Sequence, residues 1–245
     1  MNPLPSPVSD RIGGIVLCGG RSSRMGRAKA LLPVGDEVML QRVVRRLAEQ
    51  VSPIAVVAAA DQELPDLSEE WFDPFRSAAS VAFRSATGRS FAERKTTLGD
   101  APSIRIARDS VEYRGPLAGL AVGMTMLQGE IDIVYASACD APLLKPAFVR
   151  AMIDALGDAE IAVPFDGRFH HPLAAVYRLS VLPVIEELLA ADRLRPLFLF
   201  EKCRTREVPL DELRHVDPPL DSLCNTNTPE EYEQALARIA AEESR

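Results

Sequence analysis

Long apolar runs, histidine, paired cysteines and surplus positive charge are all scarce in this sequence, and each scarcity removes a class of protein. No stretch approaches the roughly 18 apolar residues of a membrane span, and the opening MNPLPSPVSD lacks the positive start and continuous apolar run of a secretory signal. The expectation is a soluble cytoplasmic protein with no membrane partner. Cys18, Cys139, Cys203 and Cys224 lie far apart with no C-x-x-C pair, which argues against both a zinc site and a disulfide framework. Only His215 stands apart from the His170-His171 pair, too few histidines to build a metal set. With 28 basic against 35 acidic residues the net charge is -7, which speaks against a broad nucleic-acid surface. An anionic ligand would have to be met by local positive charge.

What the chain does have is enough apolar material for a core, at 47% of 245 residues. A single domain over 11–245 behind a flexible tail at 1–10 is the preferred division. Short apolar runs alternate with longer amphipathic segments, the βαβ pattern of a Rossmann-like α/β fold: a mostly parallel mixed sheet with helices on both faces. The runs predict strands near 12–18, 54–59, 104–107, 131–138, 160–164 and 173–178, and helices near 37–50, 117–128, 146–156, 180–191 and 229–243. The last helix has the clearest start: Thr228 can cap, Pro229 suits the first helical position and Glu231 completes a capping box. Residues 73–103, rich in Ser, Ala, Thr and Arg, have no sustained period and read as an insertion or lid.

The strand Ile12–Leu17 runs directly into Cys18-Gly19-Gly20-Arg21-Ser22-Ser23-Arg24-Met25-Gly26-Arg27-Ala28-Lys29. Strand, glycine turn, then basic side chains is the order a phosphate site needs. Glycines let successive N–H groups approach phosphate oxygens, and Arg and Lys neutralise what those dipoles only partly offset. Arg27 and Ala28 stand where a P-loop requires Lys and Ser or Thr, and the dinucleotide spacing G-x-G-x-x-G is absent. Taken alone, the segment could still be a tight turn with a solvated basic face.

The string LCGGRSSRMGRAKALLP closely resembles the signature of the nucleotidyltransferases related to the molybdenum cofactor guanylyltransferase, the MobA-like family. Resemblance continues at Arg114–Gly119, Ala138–Pro142, His171–Leu173 and Asn225–Glu231, spread from residue 14 to about 235 in the family's order. It implies transfer of GMP from GTP to molybdenum-bound molybdopterin, with release of pyrophosphate and formation of the guanine dinucleotide cofactor. Mg²⁺ is the implied cofactor, and molybdoenzymes or other cofactor-biosynthesis proteins are the implied further partners. Carried over by residue, Arg24, Lys29 and Asp140 are the catalytic set; Leu17, Cys18, Gly19, Gly20, Lys29, Asp109, Gly115 and Asp140 face the nucleotide. Asp140 and Asn227 are the implied metal ligands, while Arg168, His171 and Asn225 belong to the acceptor side.

The residues themselves leave plainer readings beside these. Asp140 follows the apolar run Ile131–Ala138 and so sits at the carboxyl end of a strand, where open α/β sheets gather ligands and where a carboxylate can hold Mg²⁺ against phosphates; it could instead cap the turn. Asn225 and Asn227 are either ligands or turn residues. Asp109 is either a contact to the guanine edge or a surface aspartate, and both His170 and His171 read as turn residues without the resemblance. Cys18 and Cys139 are expected to be spectators. Two departures stand out: Ala28 replaces the family's acid before the lysine, with Lys29 then expected to be less well oriented, and Ala58 stands in the stretch where an asparagine commonly ends the second strand. They keep open a CTP-dependent molybdopterin or sugar-phosphate transferase, and a non-catalytic nucleotide-binding carrier.

Overall fold

A computed structural model of the chain describes residues 10–18, 28–68, 70–72, 103–109 and 114–243. The expected tail up to residue 9 and the insertion over 73–102 lie outside the described residues. Among those described, seven strands form one sheet: β1 (Ile12–Leu17), β4 (Ile54–Ala59), β5 (Ile104–Asp109), β6 (Ile133–Ala138), β7 (Ile161–Phe165), β8 (Ala174–Arg178) and β9 (Thr205–Pro209), in the order β5-β4-β1-β6-β8-β7-β9. Every pairing is parallel except those of β8, which runs against both β6 and β7. A two-stranded hairpin, β2 (Pro33–Val34) with β3 (Glu37–Val38), stands apart.

The fully buried runs explain the sheet. β1, β4 and β6 alternate their side chains between two apolar layers, as strands covered on both faces must. Val16, Val56 and Tyr135 belong to one layer, with Leu40, Val43, Val44 and Leu47 of helix α1 (Met39–Ala48) and Phe148, Val149 and Met152 of α3 (Pro146–Ala155). Ile15, Leu17, Val57 and Val134 face the other, with Leu117, Leu120, Met124 and Leu127 of α2 (Pro116–Leu127), Ile185 and Leu188 of α4 (Leu182–Ala190), and Leu199 of α5 (Pro196–Lys202). Each wholly buried Leu or Val in these layers contributes about 1.5–3 kcal/mol. Helix α2 approaches β1 closely, because a Cβ on Gly123 would come within 2.9 Å of Ile15.

One expected boundary moves, and three elements have no counterpart among the expected ones. The helix expected from 37 begins at Met39; Glu37 and Val38 instead form β3, made possible by the left-handed φ of 63° at Gly35 in the hairpin turn. Helix α5, the short α6 (Leu210–Leu213) and the edge strand β9 were not anticipated from the sequence pattern. The closing helix α7 (Pro229–Glu243) starts as expected. Thr228 Oγ accepts the Glu231 amide at 3.2 Å, and the Glu231 carboxylate returns to the Thr228 amide at 3.1 Å. Ala235 and Ile239 of α7 pack on Leu32, Val34, Met39 and Leu143, tying the C-terminus to the hairpin and to the loop after β6.

Candidate phosphate and metal site

From β1 the chain goes outward to β4 and β5, then returns to β6 on the other side of β1. The strand order therefore reverses between β1 and β6, and ligands of open α/β sheets collect in the crevice at such a point, beyond the carboxyl ends of the strands. Cys18 follows β1 and Cys139-Asp140 follows β6, so both peptides leave the sheet at that crevice.

Three residues distant in sequence converge there. Lys29, at the start of a short 3-10 turn over Lys29–Leu31, donates from Nζ to Asp140 Oδ2 at 2.7 Å and to Asn227 Oδ1 at 2.8 Å. The Lys29 and Asp140 side chains are only 18% and 14% exposed, so water screens the pair incompletely. Lys29 was expected to be less well oriented without an acid at position 28; in the structure Asp140 and Asn227 orient it. Thr226, unremarked in the sequence, fastens the two sides together, with its amide donating to the Asp140 carbonyl at 2.9 Å. Its buried hydroxyl also points to that carbonyl, at 3.3 Å, and the Asn227 amide donates to Glu231 at 2.6 Å. A Thr between two asparagines just ahead of a helix cap was the only available signal.

A second polar cluster holds the approach to Thr226. Lys145 Nζ donates to Asp217 at 2.8 Å and Asp221 at 3.1 Å, and the Ser222 amide donates to Asp217 at 2.8 Å. Burial alone would raise the Asp217 carboxyl, but the hydrogen bonds from Lys145 and Ser222 outweigh it and hold Asp217 below the ordinary carboxylate range. Lys145 is raised on balance, since the two carboxylates outweigh its own burial.

The other expected residues that are described stand as follows. Leu17 ends β1 with its side chain buried. The Cys18 amide donates to the Val57 carbonyl at 2.8 Å, so a nucleotide cannot use that N–H unless the sheet gives way there. Cys18 and Cys139 are buried side by side; a hydrogen bond that the Cys18 thiol donates to Cys139, then burial, pushes the Cys18 thiol well up, which keeps it protonated and suits a spectator. Gly19, Gly20 and Arg24 lie outside the described residues. Gly115, with φ of 76°, precedes Pro116 at the first turn of α2, a backbone that favours glycine. Asp109 ends β5, in register with Ala59 and two strands from β1. Ala58, buried, ends nothing: β4 runs on to Ala59.

The residues expected on the acceptor side share the rim. β7 runs parallel to β6 in direction and β8 returns, so the loop joining them lies at the same edge of the sheet as Asp140. In that loop Arg168 lies over the Phe169 ring at 4.7 Å, and Asp166 accepts the amides of Arg168 and Phe169. His171 Nε2 is buried and has no hydrogen-bond partner among the described residues, and burial pushes its pKa down. His170 turns away to Glu207 at 2.7 Å and stacks on Phe165. Asn225 is exposed. A cavity of about 290 Å³ lined by His170, Leu197, Phe200 and Glu207 belongs to the β9 edge and is not part of the site.

Two oxygens, one carboxylate and one amide, directed at one cationic nitrogen are a donor set that a hard divalent ion accepts when phosphate and water complete its shell. The residues present therefore fit such an ion. The arrangement can hold a polyphosphate beside a metal; it holds no described nucleophile or general base.

Comparison with known proteins agrees with this chemistry. The family model "MobA-like NTP transferase domain" matches residues 14–206. The molybdenum cofactor guanylyltransferase of Desulfosudis oleivorans is 38% identical, covering 95% of this chain and 98% of its own. That of Rhizobium meliloti is 31% identical over 94% and 93%. In fold, the chain is similar to the molybdopterin-guanine dinucleotide biosynthesis protein A of Archaeoglobus fulgidus, with a TM-score of 0.66, 18% identity, and 94% and 99% of the two chains covered.

Proposed function

This chain belongs to the MobA-like NTP transferase family and is a nucleotidyltransferase, and we propose that it transfers GMP from GTP to molybdenum-bound molybdopterin in the cytoplasm. The convergence of Lys29, Asp140 and Asn227 at the strand-order reversal carries the reading. The names of the two guanylyltransferase relatives supply the substrates. Residues 11–245 form one domain in this reading.

An oxygen of the acceptor's terminal phosphate attacks the α-phosphorus, the new P–O bond forms as the α–β bridge breaks, and pyrophosphate leaves with that electron pair. The nucleophile is already an anion, so the protein has to align two mutually repelling groups and stabilise charge on the transferring and departing phosphoryls. Lys29, with Arg24, meets the β and γ phosphates. Asp140 and Asn227 hold Mg²⁺, which when bound offsets negative charge on the phosphates. Leu17, Cys18, Gly19, Gly20 and Gly115 border the nucleotide, with Cys18 contributing shape and not its committed amide. Asp109 accepts from the N1 and N2 edge of guanine, and Arg168, His171 and Asn225 line the acceptor side, with His171 against the pterin and Arg168 against the pterin or its phosphate.

The deciding experiment incubates the protein with Mg²⁺, molybdenum-bound molybdopterin and each of the four nucleoside triphosphates, and measures pyrophosphate and dinucleotide product. Turnover with GTP alone is expected. Preference for CTP, which Ala28 and Ala58 keep open, would replace guanine in this reading, and GTP binding without turnover would make the chain a carrier.

A further inference from the structure

We infer that Lys29 is a built-in cation that keeps the divalent-metal position filled until a nucleotide arrives. This rests on the reading of Asp140 and Asn227 as metal ligands. Their two side-chain oxygens accept hydrogen bonds from the same nitrogen, at 2.7 and 2.8 Å. A point shared by both oxygens is where an oxygen-seeking metal ion would have to sit. An ammonium and a divalent ion repel one another strongly at that separation, the more so because Asp140 and Lys29 are largely withdrawn from water. The two cations therefore compete for one place.

The structure also distinguishes the partner that moves from those that stay. The main chain of Asp140 is fastened by the amide and hydroxyl of Thr226, and that of Asn227 by Glu231, none of which involves Lys29. Lys29 reaches the site on a flexible four-carbon stem. A triphosphate presents more negative charge than one carboxylate, so it draws the ammonium onto its own oxygens and leaves Asp140 and Asn227, still in place, facing the metal. Binding is then ordered: metal enters with or after the nucleotide, and the site without nucleotide disfavours metal. Lys29 thus serves twice, first as the substitute cation and then as a phosphate ligand.

The test uses Mn²⁺ as the probe on the full chain without nucleotide, with free Mn²⁺ followed by its electron paramagnetic resonance signal. Lys29→Met is expected to bind Mn²⁺ at least tenfold more tightly than wild type, and Lys29→Met/Asp140→Asn is expected to lose that gain. Circular dichroism checks the fold; should the Met variant not fold, Lys29→Gln, which keeps a hydrogen-bond donor but not the charge, is expected to show the same direction. A folded variant at position 29 that binds Mn²⁺ no better than wild type overturns the inference, as does a gain that survives Asp140→Asn. A parallel titration with α,β-methylene GTP separates this from the underlying reading. If Asp140→Asn weakens Mn²⁺ uptake there while Lys29→Met shows no gain without nucleotide, the ligand assignment stands and only the competition fails; if Asp140→Asn changes nothing in either titration, the ligand assignment fails too.

Discussion

The rim of the sheet around Asp140 and the loop joining β7 to β8 lie at the same edge, yet they are built on different terms. Around Asp140, polar side chains are bound to one another: Lys29 to Asp140 and Asn227, Thr226 to the Asp140 carbonyl, and Lys145 to Asp217 and Asp221 behind them. In the β7–β8 loop the backbone is fixed instead, by Asp166 accepting two amides and by Gly167 at φ 92°. The side-chain tips proposed for the acceptor are left uncommitted: His171 Nε2 has no partner among the described residues, and Arg168 rests on a ring that is itself 56% exposed. A site that must counter concentrated phosphate charge needs its groups pre-set, because reorganising them costs the electrostatic advantage. A surface that receives a polar acceptor can hold its backbone rigid and leave hydrogen-bonding capacity for the ligand.

The comparison breaks first at Asp140. If the wired side carries the chemistry, Asp140→Ala should lower kcat by on the order of 10²–10³-fold or more while circular dichroism shows the fold retained; Arg168→Ala should act chiefly on KM for the acceptor. Near-normal turnover in Asp140→Ala would remove the metal assignment. The next largest effect is on stability. Asp217 has no exposed side-chain surface and Lys145 little, and breaking a buried pair costs about 3–5 kcal/mol, so Asp217→Ala should lower the denaturation midpoint markedly. Because the folded carboxyl sits below its usual range, this contribution is complete above the unfolded pKa of about 4 and is lost as pH falls through the lower folded value. Urea midpoints followed from pH 6 down to pH 3 for wild type and variant should therefore draw closer as the pH falls below about 4.

How much of this could be read in the sequence follows the same division between local and distant physics. β1, β4 and β6 are legible because strands buried on both faces are continuous apolar runs, and the start of α7 is legible because Thr228, Pro229 and Glu231 settle it among themselves. β9 is not: at the sheet's edge, Thr205–Pro209 buries Val208 alone and shows charged Arg206 and Glu207 to solvent, which erases the strand pattern. The hairpin around Gly35 was masked by the helical period that begins two residues later. At the site, Lys29, Asp140 and Asn227 each stood out in their own segment, but the bonds joining them span 111 and 198 residues, and no periodicity or propensity encodes contacts at that range.

A smaller effect tests how the wired side is held in place. Thr228→Ala removes the cap of α7, worth about 1 kcal/mol, and also loosens Glu231, which accepts the Asn227 amide. Thermal denaturation should show the modest loss of stability. Metal affinity measured with nucleotide present should fall as well, whereas Ala in place of the exposed Glu233, farther along the same helix, should leave it unchanged. Equal metal affinity in Thr228→Ala and wild type would mean that Thr226 alone positions Asn227.

The smallest effect belongs to the uncommitted side and concerns His171. Burial favours its neutral form, so its folded pKa lies below the ordinary 6.5. The unfolded chain then takes up the proton first as pH falls, and stability contributed by this residue is present above about pH 6.5 and lost toward the folded pKa. His171→Gln, which cannot titrate, should flatten the stability profile between about pH 7 and pH 5 relative to wild type, measured as urea midpoints. If the anionic acceptor binds against His171, its negative charge should raise this titration in wild type, opposing the effect of burial, and have no counterpart in the variant. A wild-type profile that is already flat across that window would show that the ring finds water or another partner, and the contrast between the two halves of the rim would then narrow to Arg168 and Phe169.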